Sequence, residues 1–266
     1  MPPFAAQALY SPLMPWLSAL PGDGGPPGIG LLNRLAAERG ITSGGGVPLS
    51  FVVPGGCGLS YEERIYWLGQ VDTRSGNWHD GFNALVWLAY PRTKAALNAR
   101  HHRALQSATG NAGRGPLRDA LTQFDECGVA VASASLELWQ GIRSHRWKEV
   151  FWSRRAEVLE SLRVFVFGHA SYDLLRSPYL GLCGKATFFH VEPDWLARPP
   201  AEQIDDIDRS MAQRFAGDFC ARPRDFQPLP LLGIPGVTAD NEFPAYYDDT
   251  RQFRPLRLLQ SSSEVR

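Results

Sequence analysis

The residues with the clearest chemical capacity stand in one run, Asn77-Trp78-His79-Asp80-Gly81-Phe82-Asn83. Asn77 is a residue type suited to a helix N-cap, which places Trp78, His79 and Asp80 in the first turn of a helix. His79 and Asn83 are then i and i+4, and Asp80 and Asn83 are i and i+3. Their polar groups converge beside an apolar stripe of Phe82, Leu85, Val86 and Ala89. The positive end of a helix disfavours imidazolium, so His79 is expected neutral, able to bind a metal or accept a proton. The plainer role for Asp80 is that of a first-turn acid that helps to cap the helix. A histidine–aspartate doublet also serves certain phosphohydrolases, but those need an earlier histidine ligand, and His79 is the first histidine in the chain.

Three further groupings carry titratable side chains. Lys94, Asn98 and His102 are spaced by four, with His101 beside them, a line able to meet an anion or a metal. Arg92, Arg100 and Arg103 make the same stretch broadly basic, and its plain reading is a solvated face. In Arg118-Asp119-Ala120-Leu121-Thr122-Gln123-Phe124-Asp125-Glu126, the spacing puts Asp119, Thr122 and Glu126 on one helix face. Paired carboxylates can hold a divalent cation. Asp125 and Glu126 stand at the C-terminal end of this helix, where acids oppose the helix dipole, so they require a compensating partner. Finally, Val164-Phe165-Val166-Phe167 reads as a strand running into Gly168-His169 and then a helix, a common position for site residues. Ser171 lacks the flanking glycines of a nucleophile elbow.

The elements that must position these groups follow from punctuation and periodicity. Residues 1–58 are rich in glycine and proline and read as an arm packing on the body, with a short helix over Ile29–Arg39. A body over 59–222 opens at Ser60, which forms a capping box with Glu63. Helices are expected from there to Gly69, over Trp78–Tyr90, over Pro91–Leu105 with proline at its first position, and over Pro116–Phe124. A polar loop over Gly110–Gly115 separates the last two. Beyond Gly128 the period changes. Strands are expected over Val129–Ser133, Arg163–Phe167 and Ala186–Val191, with helices over Leu136–Ile142, Trp147–Leu159, after His169 and over Ala201–Phe219. A proline-broken, aromatic tail over 223–266 is expected to lie extended on the body. The fold class is therefore α+β, predominantly helical with a small sheet of about three short strands, in a single domain.

Composition narrows the function classes. An apolar content of 44% supports a real core. The 27 basic and 27 acidic residues cancel, so no whole-molecule field attracts nucleic acid, which makes it an unlikely partner. No glycine pattern forms a phosphate loop or dinucleotide fingerprint. No apolar run approaches a membrane span, and the N-terminus lacks the pattern of a secretory signal. The four cysteines are scattered without a C-x-x-C pair. A cytoplasmic location with reduced thiols is the expectation.

Several segments in order resemble a bacterial family known only as "domain of unknown function 3025". They are Trp78–Trp87, Pro91–Asn98, Arg118–Glu126, Val166–Ala170, and in the tail Gly233-Ile234-Pro235-Gly236 with Asp240-Asn241 and Tyr247-Asp248-Asp249. The resemblance spans roughly residues 60–255. It implies that His79, Asp80, Asn83, Lys94, Asn98, Asp119, Asp125, Glu126 and His169 belong to family motifs, and it implies no activity.

Read together, these residues suggest a hydrolase acting on a small or phosphorylated substrate, with a divalent metal ion as cofactor. In that scheme His79, Asp80, Asn83 and His169 are catalytic, and His79 or His169 handles protons. Asp119, Asp125 and Glu126 hold the metal, while Lys94, Asn98 and Arg118 bind substrate. The rival expectation is a non-catalytic binding or scaffold protein in which the same polar residues form a structural hydrogen-bond network. Oligomeric state has no signature in the sequence.

Overall fold

The computed structural model describes residues 2–20, 24–56, 58–107 and 115–256. Residues 21–23 of the first glycine–proline stretch, Cys57, residues 108–114 with most of the polar loop, and residues 257–266 of the tail lie outside the described residues.

Local signals place the helices. The chain begins with 3-10 turns at Pro3–Ala6 and Ala8–Leu13, then α1 (Met14–Leu17) and α2 (Ile29–Glu38). β1 (Ser50–Val52), α3 (Tyr61–Leu68) and β2 (Gln70–Asp72) follow, with β1 and β2 paired in parallel. Glu63 closes the expected capping box on α3, accepting from the Ser60 backbone N–H at 3.1 Å and from its hydroxyl at 2.6 Å. Gly69 ends α3 in the left-handed region at φ 66°, and a Cβ there would sit 2.2 Å from the Pro48 carbonyl oxygen. Only glycine fits that turn.

α4 (Trp78–Ala89) is capped by Asn77, whose side-chain oxygen accepts from the Asp80 backbone N–H at 3.0 Å. α5 (Pro91–Gln106) and α6 (Pro116–Cys127) both start on the expected proline. The remaining elements are β3 (Gly128–Ser133), α7 (Leu136–Arg143), a π-turn at Glu149–Ser153, α8 (Arg155–Ser161), β4 (Leu162–Val166), α9 (His169–Leu175), β5 (Cys183–His190), α10 (Pro200–Ala216) and β6 (Gln227–Pro230). The helix expected over Trp147–Leu159 is thus broken in two at Arg154.

The larger sheet has the order β4-β3-β5-β6. β3 runs antiparallel to β4 and parallel to β5, and β6 is antiparallel to β5. The three expected strands are the adjacent β4, β3 and β5. β6 was hidden from periodicity by Pro228 and Pro230, which a strand tolerates only at a sheet edge. No helix among the described residues is long and apolar enough to cross a membrane. Cys127, Cys183 and Cys220 are free thiols.

One sequence expectation is corrected. α5 is not a solvated face, because Lys94, Asn98, Arg100, His101 and His102 are buried, while Arg92 and Arg103 stay exposed. In α4 every residue from Asp80 to Ala89 is buried. Both helices are enclosed, α4 by α2, α5 and α9 and α5 by α3, α6 and α10, so their polar groups had to find partners inside.

The N-terminal segment enters the same core. Tyr10 is fully buried, donates its hydroxyl to the Tyr172 carbonyl at 2.6 Å, and packs its ring 5.9 Å from Phe82 and 5.4 Å from Tyr172. Asn33 of α2 bonds both the N–H and the C=O of Phe51. Pro26 and Pro27 lie against Gly81, close enough that a Cβ there would come within 3.1 Å of Pro27.

Candidate functional site

Strand pairing creates the first half of the site. Val129 opposes Val166 in the antiparallel β3–β4 pair, so the residues just before β3 and just after β4 meet at one end of the sheet. The approach is close: the N–H groups of Phe167 and Gly168 both donate to the Gly128 carbonyl at 2.9 Å. A Cβ on Gly168 would stand 2.4 Å from the Glu126 carbonyl oxygen and 2.5 Å from the Cys127 backbone. Glycine is required there by contact with backbone, since its φ of −61° suits any residue. Gly168→Ala is expected to cost about 1–3 kcal/mol through overpacking and to separate Glu126 from His169; a urea denaturation series would measure it.

The packing of α4 on α9 supplies the second half. His79 and His169 meet edge to face with ring centroids 4.6 Å apart. Glu126 Oε2 is 3.4 Å from His169 Nε2 and 4.0 Å from His79 Nε2. One ligating atom from each of His79, Glu126 and His169 lies within 4.8 Å of the other two.

The protonation of His169 follows from its neighbours. Its Nδ1 is 2.8 Å from the Asp125 carbonyl oxygen, which can only accept, so Nδ1 carries the proton and donates. Nε2 is then a bare lone pair turned toward a carboxylate oxygen. Burial pushes the pKa of His169 down to about 4, helped by Lys94 and His79 against the opposing pull of Asp125. The ring is therefore neutral at physiological pH.

Behind His169 runs a bonded chain. Lys94 Nζ donates to Asp125 Oδ1 at 2.6 Å and to Asn83 Oδ1 at 2.8 Å, and Asn83 Nδ2 donates to the Tyr61 hydroxyl at 2.9 Å. Burial raises the Asp125 carboxyl, but Lys94 and His169 outweigh it and hold the group below the usual carboxylate range. Lys94 is thus the compensation demanded by an acid at the negative end of α6. Asp80 is clamped by Arg74, which donates from its backbone N–H at 2.7 Å and from Nε and Nη2 at 2.8 Å each. Asn98 donates to the carbonyl and carboxylate of Glu62 at 2.9 Å and accepts from the Gly44 N–H at 3.1 Å.

These groups surround a cleft of about 540 Å³ that contains His79, Asp80, Asn83, Asp125, Glu126 and His169. It does not contain Asp119, Arg118, Lys94 or Asn98. Asp119 is exposed about two turns before Glu126 on α6, while its neighbour Arg118 lines a different cavity with Arg100 and Arg103. Asp125 is turned to Lys94 rather than to the cleft centre. The carboxylate set read from α6 therefore splits, and Glu126 alone joins the histidines. Sequence reasoning passed over Tyr61, Glu62, Asp72 and Arg74, which also line the cleft, as does His101, noted in the sequence beside His102. The signal for Glu62 was its place in the first turn of α3; Asp72 and Arg74 carry no periodic signal.

The molecule is thus a mainly helical α+β protein with a half-open histidine–carboxylate cleft at one end of its sheet. The chain belongs to the family described as Protein of unknown function (DUF3025), which it matches over residues 49–257. No curated protein and no solved structure matches it.

Proposed function

We propose that the cleft is a divalent-metal centre, with His79, Glu126 and His169 as ligands, and that the protein is a metal-dependent hydrolase of a small substrate. The observation that carries this reading is the face-to-face placement of the His169 Nε2 lone pair and Glu126 Oε2 at 3.4 Å. Two acceptors at that distance leave room for a cation shared between them. Around a tetrahedral metal with bonds of about 2.0–2.1 Å, neighbouring ligand atoms lie about 3.3 Å apart, so small side-chain movements close the set. The Nδ1–H of His169, held by a backbone carbonyl, is the usual outer support of a ligating imidazole. Three protein ligands beside a cleft leave coordination positions for water and substrate.

A small molecule suits the cleft better than a polyanion. Its lining carries five carboxylates, and the cations beside them, Arg64, Arg74 and Lys94, are each bonded to one of them, which leaves little positive charge for a phosphate chain. Lys94 and Arg118, expected to neutralise a phosphorylated substrate, are respectively paired with Asp125 and located elsewhere, so the phosphorylated class loses its support. The network reading retains Asn83, Lys94, Asn98 and Asp80, whose bonds are internal.

The test is metal loading of chelator-treated protein with zinc, manganese or anaerobic iron(II), followed by hydrolysis assays on ester and amide panels. One ion per chain with metal-dependent hydrolysis is the expected result. Absence of binding overturns the metal centre. Iron-specific, oxygen-consuming turnover overturns hydrolysis while leaving the centre in place, since two histidines and a carboxylate also suit that chemistry.

A further inference from the structure

We propose that a second cavity, between α5, the start of α6 and the end of α10, binds a phosphate-type oxyanion through Arg100, Arg103 and Arg118. It has a volume of about 520 Å³ and shares no lining residue with the histidine–carboxylate cleft, so the proposal does not depend on the metal-centre reading. Its lining sets these three guanidiniums against one carboxylate, Asp218. Asp218 is exposed and forms no ion pair among the described residues. Glu63, whose carboxyl also feels Arg118, is taken up by Ser60.

The arginines are held in a way that leaves donors over. A guanidinium carries five N–H donors. Among the described residues, Arg100 donates to the Phe219 carbonyl and Arg103 to the Ala216 carbonyl, the latter at 3.1 Å. Arg118 bonds to none of them, and its Nε is enclosed without a partner. Arg100 is 4% exposed. Burial disfavours its charge, and Arg103 adds like-charge repulsion against the pull of Asp218. A buried cation requires an anionic partner, and one carboxylate among three guanidiniums supplies too little.

The helix α6 adds backbone donors. It has 12 residues and opens on Gly115 and Pro116, which line the cavity. Its ladder starts with the Asp119 N–H on the Gly115 carbonyl at 3.2 Å, so the N–H groups of Leu117 and Arg118 precede it. A positive helix end and forked guanidiniums both favour a compact anion with several oxygens. Phosphate suits the site better than a carboxylate, because its charge of about −2 matches the excess of cations and it offers more acceptor oxygens. Ala104 and Leu117 supply an apolar wall, so a small phosphomonoester fits as well as the free anion.

The test is calorimetric titration of the full-length protein with sodium phosphate, with sodium chloride at equal ionic strength as the reference. One phosphate per chain is expected, with no response to chloride. Arg118→Gln weakens binding about tenfold or more, the range of a charged hydrogen bond, and it breaks no internal bond whose loss would unsettle the fold. Arg143→Gln, at an exposed arginine of α7, leaves the affinity unchanged, as does Glu126→Gln in the other cavity. Glycerol phosphate titrated in parallel separates the two sources: tighter binding than phosphate identifies the ester, and equal binding the free anion. Phosphate binding no stronger than that of chloride overturns the proposal. Equal weakening by Arg118→Gln and Arg143→Gln also overturns it, because only general charge would then be at work. Loss of phosphate binding with Glu126→Gln places the anion in the cleft, which overturns this site and leaves the metal centre standing.

Discussion

Lys94→Met removes about 3–5 kcal/mol of stability, the expected cost of leaving a buried ion-pair partner uncompensated. Lys94 is 5% exposed and Asp125 20% exposed at the side chain, so water does little to replace the ammonium. The loss is compounded at Asn83, whose side-chain oxygen also accepts from Lys94. Total stabilities of single domains are about 5–15 kcal/mol, so the variant sits near the edge of folding. Adding Asp125→Leu to Lys94→Met recovers a large part of the deficit, because replacing both partners by apolar groups removes the stranded charge. Urea denaturation of the two singles and the double measures the coupling. Additive losses would show that the pair is not the source of the effect.

The second large effect concerns the proposed ligands. His79→Ala, Glu126→Gln and His169→Ala each lower divalent-metal affinity by more than about 100-fold, since loss of even an outer-shell partner costs about 10–100-fold. A metal at a hundred times its Kd stabilises a folded chain by about 2.7 kcal/mol, and this gain vanishes in all three variants. Asp119→Ala retains it, because Asp119 is exposed and outside the cleft. Thermal melts of chelator-treated protein with and without added zinc or manganese separate the four. A loss with Asp119→Ala equal to that with Glu126→Gln would return the site to the α6 carboxylate face.

The helical frame was largely legible because its signals are local: the Ser60–Glu63 box, the Asn77 cap, and prolines at the starts of α5 and α6. Strands β3, β4 and β5 were legible from alternation and β-branched residues. β1 and β2, of three residues each, are too short to show a period, and β6 is masked by its prolines. The site was half legible. His79, Glu126 and His169 drew attention as polar groups beside apolar stripes, but which carboxylate of α6 joins them depends on the β3–β4 register. That register is a tertiary property, and it selects Glu126 by bringing the end of α6 beside the start of α9. The solvated reading of α5 failed for the same reason. Lys94, Asn98 and His101 look like surface residues until α3, α6 and α10 cover them, after which each must be bonded. Asp80 stands in the first turn of α4 as expected, but its carboxylate is taken up by Arg74 instead of closing a capping box on Asn77.

The placement of Tyr10 has a consequence for what the family signature means. A chain begun at residue 49 would carry the whole matched region and every residue of the cleft. It would also have a hole where Tyr10 stood, with Phe82 and Tyr172 stripped of their aromatic neighbour and the Tyr172 carbonyl of its donor. The first turns of α4, which present His79, would lose the Pro26–Pro27 brace at Gly81. The stretch by which the family is recognised is therefore narrower than the stretch that fills the core. A shortened chain chosen on the signature alone is expected to expose an aromatic socket and aggregate, while its set of candidate ligands remains complete on paper.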